Sequence, residues 1–120
     1  MQIRVKSLSF RLTDAIRQHV ERRIAPALSI AGDSDSEQAV VSLSDLNGPK
    51  GGLDKSCRIM AVPRAVGAVF VEAVHSDLYL AIDQAATKLR TILARRCARH
   101  REISRHLARK LRQANRFALN

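Results

Sequence analysis

A chain of 120 residues has room for one domain with a modest core. Its longest uncharged apolar run, AVGAVFV, is far too short to cross a membrane, and the opening MQIRVKSLSF lacks the apolar stretch of a secretory signal. Cys57 and Cys97 have neither disulfide-framework nor zinc spacing, and read as reduced thiols of a cytoplasmic protein. The net charge of +10 is unevenly placed: residues 1–87 carry ten Lys/Arg and ten Asp/Glu, while residues 88–120 carry eleven Lys/Arg and one acid, Glu102. A neutral body with a strongly cationic end is suited to meeting a polyanion.

In chain order, QIRVK alternates, with Ile3 and Val5 on one face, and predicts a strand. Thr13 or Asp14 then offers a helix cap, and Ala15, Ile16, His19, Val20, Ile24 and Leu28 recur at helical spacing, with Pro26 limiting or bending the last turn. AGDSDSE is a polar loop. QAVVSLSD and KSCRIMAV alternate again, with Ala39, Val41 and Leu43 on one face of the first and Cys57, Ile59 and Ala61 on one face of the second. The intervening DLNGPKGGLDKSC superficially suggests a phosphate loop. It lacks the glycine before the lysine, places Asp54 beside Lys55, and is followed by a strand pattern rather than a helix. Asn47-Gly48 and Gly51-Gly52 instead supply the turn of an antiparallel hairpin.

PRAVG makes a further turn, and AVFVEAVH predicts a fourth strand, with Val69, Val71 and Ala73 opposite Phe70, Glu72 and Val74. After a cap at Ser76 or Asp77, Leu78, Ala81, Ile82, Ala85, Leu89, Ile92 and Leu93 form a helical stripe that continues through Cys97, Ile103, Leu107 and Leu111. The order is β-α-β-β-β-α, an α+β fold: a four-stranded mixed sheet with two helices packed on one face, the first two strands parallel and the others antiparallel. A helix unbroken from 77 to 112 would span about 54 Å, against roughly 30–35 Å for the body. It therefore overhangs, breaks, frays or packs on a second copy.

Chemistry is sparse. Cys97 and His100 are spaced to share a metal, but no third or fourth ligand is nearby, so no metal or other cofactor is expected. His19 and His75 read as core-margin or surface residues, Cys57 as packing, and Asp77 and Asp83 as helix-capping and dipole partners. No paired carboxylates mark a pocket, so the chain is expected to be non-enzymatic, without a small-molecule substrate. Strands two and three present no aromatics on which single-stranded bases could stack. What remains is a cationic helix that contacts phosphates and reads shape.

VEAVHSDLYLAIDQAATKLRTILARRCARHRE, residues 71–102, resembles the end of the ribosome hibernation-promoting factor and ribosome-associated inhibitor family, most specifically in DLYLAIDQAATKL. MQIRV followed by LTDAIRQHVERRI is similar to that family's first strand and helix, and the DLNGPKGGLDKSCRI hairpin to a variant in some members. The resemblance covers about residues 1–100. It implies a fold resembling a double-stranded-RNA-binding domain. It also implies a translation inhibitor that binds the small ribosomal subunit and its rRNA near the decoding region and preserves idle ribosomes in stress or stationary phase. Arg23, Lys88, Arg95, Arg96 and Arg99 match the family's basic contact positions, and Arg22 and Arg90 are basic here without a secure match. Tyr79 matches a family aromatic, whose expected role is to anchor the helix start against the sheet.

The resemblance is to the short form, with residues 1–100 as the ribosome-binding domain and 101–120 as a basic extension, helical or disordered. Two other readings stay open: an interaction module that self-associates through the C-terminal helix, and a general duplex nucleic-acid-binding domain.

Overall fold

Strand alternation and helical periodicity are realised where the sequence places them. In a computed structural model, which describes residues 2–32, 38–46, 54–64 and 66–118, the order is β1 (Gln2–Ser7), α1 (Asp14–Leu28), a 3-10 turn (Ser29–Ala31), β2 (Gln38–Asp45), β3 (Lys55–Ala61), β4 (Val69–His75) and α2 (Leu78–Ala118). The sheet order is β1-β2-β3-β4, with β1 parallel to β2 and both later pairs antiparallel. A parallel pair needs a crossover, which α1 provides; the antiparallel pairs need only short connections.

Register puts matching side chains in rows across the sheet. Val5, Val41, Ile59 and Val71 are successive partners from β1 to β4, and all four are buried. Ala39, Ala61 and Val69 flank this row on one side, and Leu43, Cys57 and Ala73 on the other. The opposite face carries Arg4, Val40, Met60 and Phe70 in one row and Lys6, Ser42, Arg58 and Glu72 in the next. A one-residue slip would exchange the two sets, so burial of one face fixes the pairing.

Thr13 caps α1, its Oγ1 accepting from Ile16 N at 3.2 Å. The helix buries Ile16, Val20, Ile24, Ala27 and Leu28. Pro26 lies inside its last turn, and the helix ends two residues later in the 3-10 turn. Asp77 caps α2 by accepting from Tyr79 N at 2.9 Å. The helix lays Ala81, Ile82, Ala85, Ala86, Leu89 and Leu93 on the core, the alanines allowing close approach.

Of the alternatives left open for the last helix, the structure shows an unbroken overhang. The 41 residues of α2 correspond to about 61 Å, and the longest dimension of the molecule is 74 Å, against 26 and 18 Å for the other two. The radius of gyration, 19.0 Å, exceeds the roughly 14 Å of a compact chain of this length accordingly. Near the body's limit, Cys97 Sγ lies 3.6 Å from Ile30 O, which accepts its S–H.

The hairpin turn expected at Asn47-Gly48 and Gly51-Gly52, with Lys50, lies outside the described residues, as does the polar loop at 33–37. The strands beside the turn are antiparallel, as a hairpin requires. Lys55, the lysine of the rejected phosphate loop, begins β3 and binds Asp45 Oδ2 at 2.8 Å and Asp54 Oδ2 at 3.3 Å. The hydrogen bond to Asp45 raises its pKa above the usual lysine value; desolvation opposes this and Asp54 reinforces it.

Leu89 is fully buried and Leu107 is exposed on the same helix. Leu89→Ala should therefore cost about 2–5 kcal/mol in urea unfolding, and Leu107→Ala less than about 0.5 kcal/mol. The thiols should differ as well. Burial pushes Cys57 up from 9.0 to about 12, so alkaline pH between those values favours unfolding, where the exposed thiol ionises and the folded one does not. With an aromatic disulfide reagent, the native chain should release roughly one thiol equivalent rapidly, from half-buried Cys97, and the second only on denaturation.

Candidate nucleic-acid interface

The seven basic residues singled out from the sequence fall on two surfaces. Arg22 and Arg23, late in α1, meet Arg90 of α2 across a notch of about 320 Å³, also lined by Pro26, Ala86 and Thr87. Lys88 is only two residues from Arg90, but at 100° per residue it points about 200° around the helix, toward β4. Arg95 and Arg99, seven and eleven residues on from Lys88, return to nearly the same line. Arg96 lies beside that line, nearer the sheet.

Lys88 and Arg96 are held by the outer edge of β4, the last strand of the sheet. Lys88 Nζ donates to Glu72 O at 2.8 Å, and Arg96 Nη1 donates to Ala68 O at 2.7 Å. Both acceptors are neutral carbonyls, so the two charges stay uncompensated. Phe70 stands between these contacts in sequence, 56% exposed, beside a groove of about 390 Å³ lined also by Val71, Thr87, Lys88, Thr91 and Ile92.

Of the seven, only Arg23 has a carboxylate partner among the described residues: its Nε donates to Asp83 Oδ1 at 2.9 Å. The same oxygen lies 2.8 Å from His19 Nε2. His19 and Arg23 are one turn apart on α1, as Tyr79 and Asp83 are on α2, so two i,i+4 pairs face each other. Tyr79 packs edge-on against His19, with ring centroids 4.8 Å apart and planes at 82°. The observed aromatic contact of Tyr79 is with α1, because the first turn of α2 turns this side chain toward the neighbouring helix.

Asp83 is thus more than a dipole partner near the start of α2. It joins the helices and fixes one end of the Arg23 side chain, leaving the guanidinium's terminal nitrogens available. Sequence spacing held the signal, an acid and an aromatic one turn apart opposite a histidine and an arginine one turn apart. Nothing in the sequence alone said that those two stripes would face each other.

Two acids near these surfaces are engaged elsewhere. Glu72 Oε2 binds Arg58 Nε at 2.5 Å on the open face of the sheet. Asp77 N–H donates to His75 Nδ1 at 2.9 Å, and its carboxylate caps α2. No group of three His, Cys, Asp or Glu that could hold a metal occurs among the described residues. Within them no helix is long and apolar enough to cross a membrane. The arrangement offers guanidinium forks and an ammonium group, which suit phosphate oxygens.

Residues 3–101 match the family model described as sigma 54 modulation protein / S30EA ribosomal protein. Among solved structures, the protein Y N-terminal domain of Thermus thermophilus is similar at 34% identity and a TM-score of 0.65, covering 79% of this chain and 98% of its own. A ribosomal subunit interface protein from Coxiella burnetii shares the fold at 17% identity and a TM-score of 0.63, covering 82% of this chain and 99% of its own. No curated protein matches the sequence significantly.

Removing the shared carboxylate should have two opposed effects. Asp83→Ala should lower stability by about 1 kcal/mol in urea, as expected for a partly exposed ion pair with two donors. It should also free Arg23, so that the variant elutes from immobilised heparin at higher salt than the parent.

Proposed function

Because this chain belongs to the sigma 54 modulation protein / S30EA ribosomal protein family, we propose that it is a non-enzymatic ribosome-binding inhibitor of translation. It binds rRNA of the small subunit near the decoding region and keeps ribosomes idle under stress, in the cytoplasm where they reside. Residues 1–100 form the binding domain, and Arg22, Arg23, Lys88, Arg90, Arg95, Arg96 and Arg99 contact the rRNA.

The observation that carries this reading is the state of those charges. Six of the seven have no carboxylate partner among the described residues, and Lys88 and Arg96 give up hydrogen bonds only to backbone carbonyls. An uncompensated cation next to RNA releases condensed counterions, so phosphate contacts add affinity without base specificity. The two surfaces suit two backbone tracks. The notch between the helices can take one phosphate between three guanidinium groups. The line of Lys88, Arg95 and Arg99 can follow a strand along the helix. Shape-reading of this kind fits a folded rRNA surface better than unpaired bases.

Sedimentation with purified small subunits through sucrose tests the reading. The parent should co-sediment at low salt and dissociate as salt rises, its log–log slope steepening by roughly 0.7–0.9 per phosphate contact. Changing Lys88, Arg95, Arg96 and Arg99 together to Glu should abolish co-sedimentation. Arg22→Glu with Arg90→Glu should weaken it and flatten the slope by about two contacts' worth. Unchanged sedimentation of the quadruple variant would remove α2 from the interface.

A further inference from the structure

We infer that the overhanging end of α2 is a docking face for a protein partner of defined chemistry: an apolar groove or helix face bordered by carboxylates. Leu89 and Leu93 are fully buried beneath the sheet. Eighteen residues make about five whole turns, so Leu107 and Leu111 stand in line with them on the same helix face. Beyond the body nothing covers that face among the described residues: Ile103, Leu107 and Leu111 are 50%, 54% and 66% exposed. Every described side chain from 98 to 116 is exposed.

The segment also lies beyond the shared domain. The family match stops at residue 101, and the Thermus domain is covered over 98% of its length by 79% of this chain. The overhang is therefore an addition to the family's common fold.

Charge decides among occupants. Residues 98–118 carry seven Lys/Arg and one acid, Glu102, a net charge of +6. A second copy would set this charge against its equal, with Glu102 as the one acid of the segment to pair. Nucleic acid would satisfy the arginines but leave the isoleucine and leucines in water. A carboxylate-rimmed apolar protein surface takes the apolar stripe and pairs with the cations beside it, as amphipathic helices do in grooves. At 100° per residue, Lys110 and Arg99 lie about 60° and 80° to one side of the Leu89–Leu107 line, where acids at the border of the groove would meet them.

The test uses the full chain without ribosomes, so its failure is separate from failure of the ribosome-binding reading. A fluorescent synthetic helical peptide with Leu at heptad a and d positions and Glu at e and g is titrated with the chain by anisotropy. Controls are the same peptide with Leu changed to Ser, polyglutamate, and an RNA duplex. The Leu/Glu peptide should bind at least ten-fold more tightly than the Ser peptide or polyglutamate. Ile103→Gln, Leu107→Gln and Leu111→Gln together should remove that advantage; Gln keeps helix propensity, and retained circular dichroism and urea midpoint verify folding. Lys110→Gln should weaken binding and its salt dependence more than Arg105→Gln with Arg109→Gln, which lie on the opposite side of the helix. Equal binding of all acidic peptides, or an unaffected triple variant, would overturn the proposal in favour of simple polyelectrolyte attraction. RNA binding that falls with the triple variant would assign the face to nucleic acid. A peptide-free dimer lost in that variant would assign it to a second copy.

Discussion

The apolar face of the sheet must be taken out of water, and among the described elements α1 and α2 cover it. Val5, Val41, Ile59 and Val71 run straight across four strands, and burial of that row and its neighbours fixes strand register, helix placement and the direction in which every charge must point. Each helix can give only one stripe to this task. On α2 that stripe is alanine, isoleucine and leucine as far as Leu93, and cations occupy the flanks.

Those flanks are not equivalent. One looks across to α1, where Asp83 gathers His19 and Arg23 and where Arg22 and Arg90 border a notch. The other looks along the edge of β4, where Lys88 and Arg96 reach backbone carbonyls. Cations that appear contiguous along the sequence are thus divided by helix geometry into two surfaces, held by different neighbours. Membership of the S30EA family accounts for the shared body; the free end of α2 is additional to it.

Much of the fold was legible from period alone. Alternation in QAVVSLSD and KSCRIMAV places Ala39, Val41, Leu43, Cys57, Ile59 and Ala61 inward, and all six are buried. The 3.6-residue stripe does the same for Ile82, Leu89 and Leu93. The end of α2 was not legible, because a helix without tertiary contacts has no stop signal beyond its local residues, and none occurs before Ala118. The division of the basic residues was hidden for another reason: it depends on which flank of α2 meets α1, a fact of tertiary packing. The Tyr79 contact was hidden likewise, its partner His19 being brought near only by the crossing of the helices.

The contacts of Lys88 and Arg96 bear on solubility. A terminal strand with vacant backbone positions is a template on which another chain can zip. Here two carbonyls of the β4 border, at Ala68 and Glu72, are already occupied by long cationic side chains rooted on a helix. An incoming strand would have to evict both and then lie beside two displaced positive charges. That edge of the sheet is guarded against strand addition by two cationic side chains of α2.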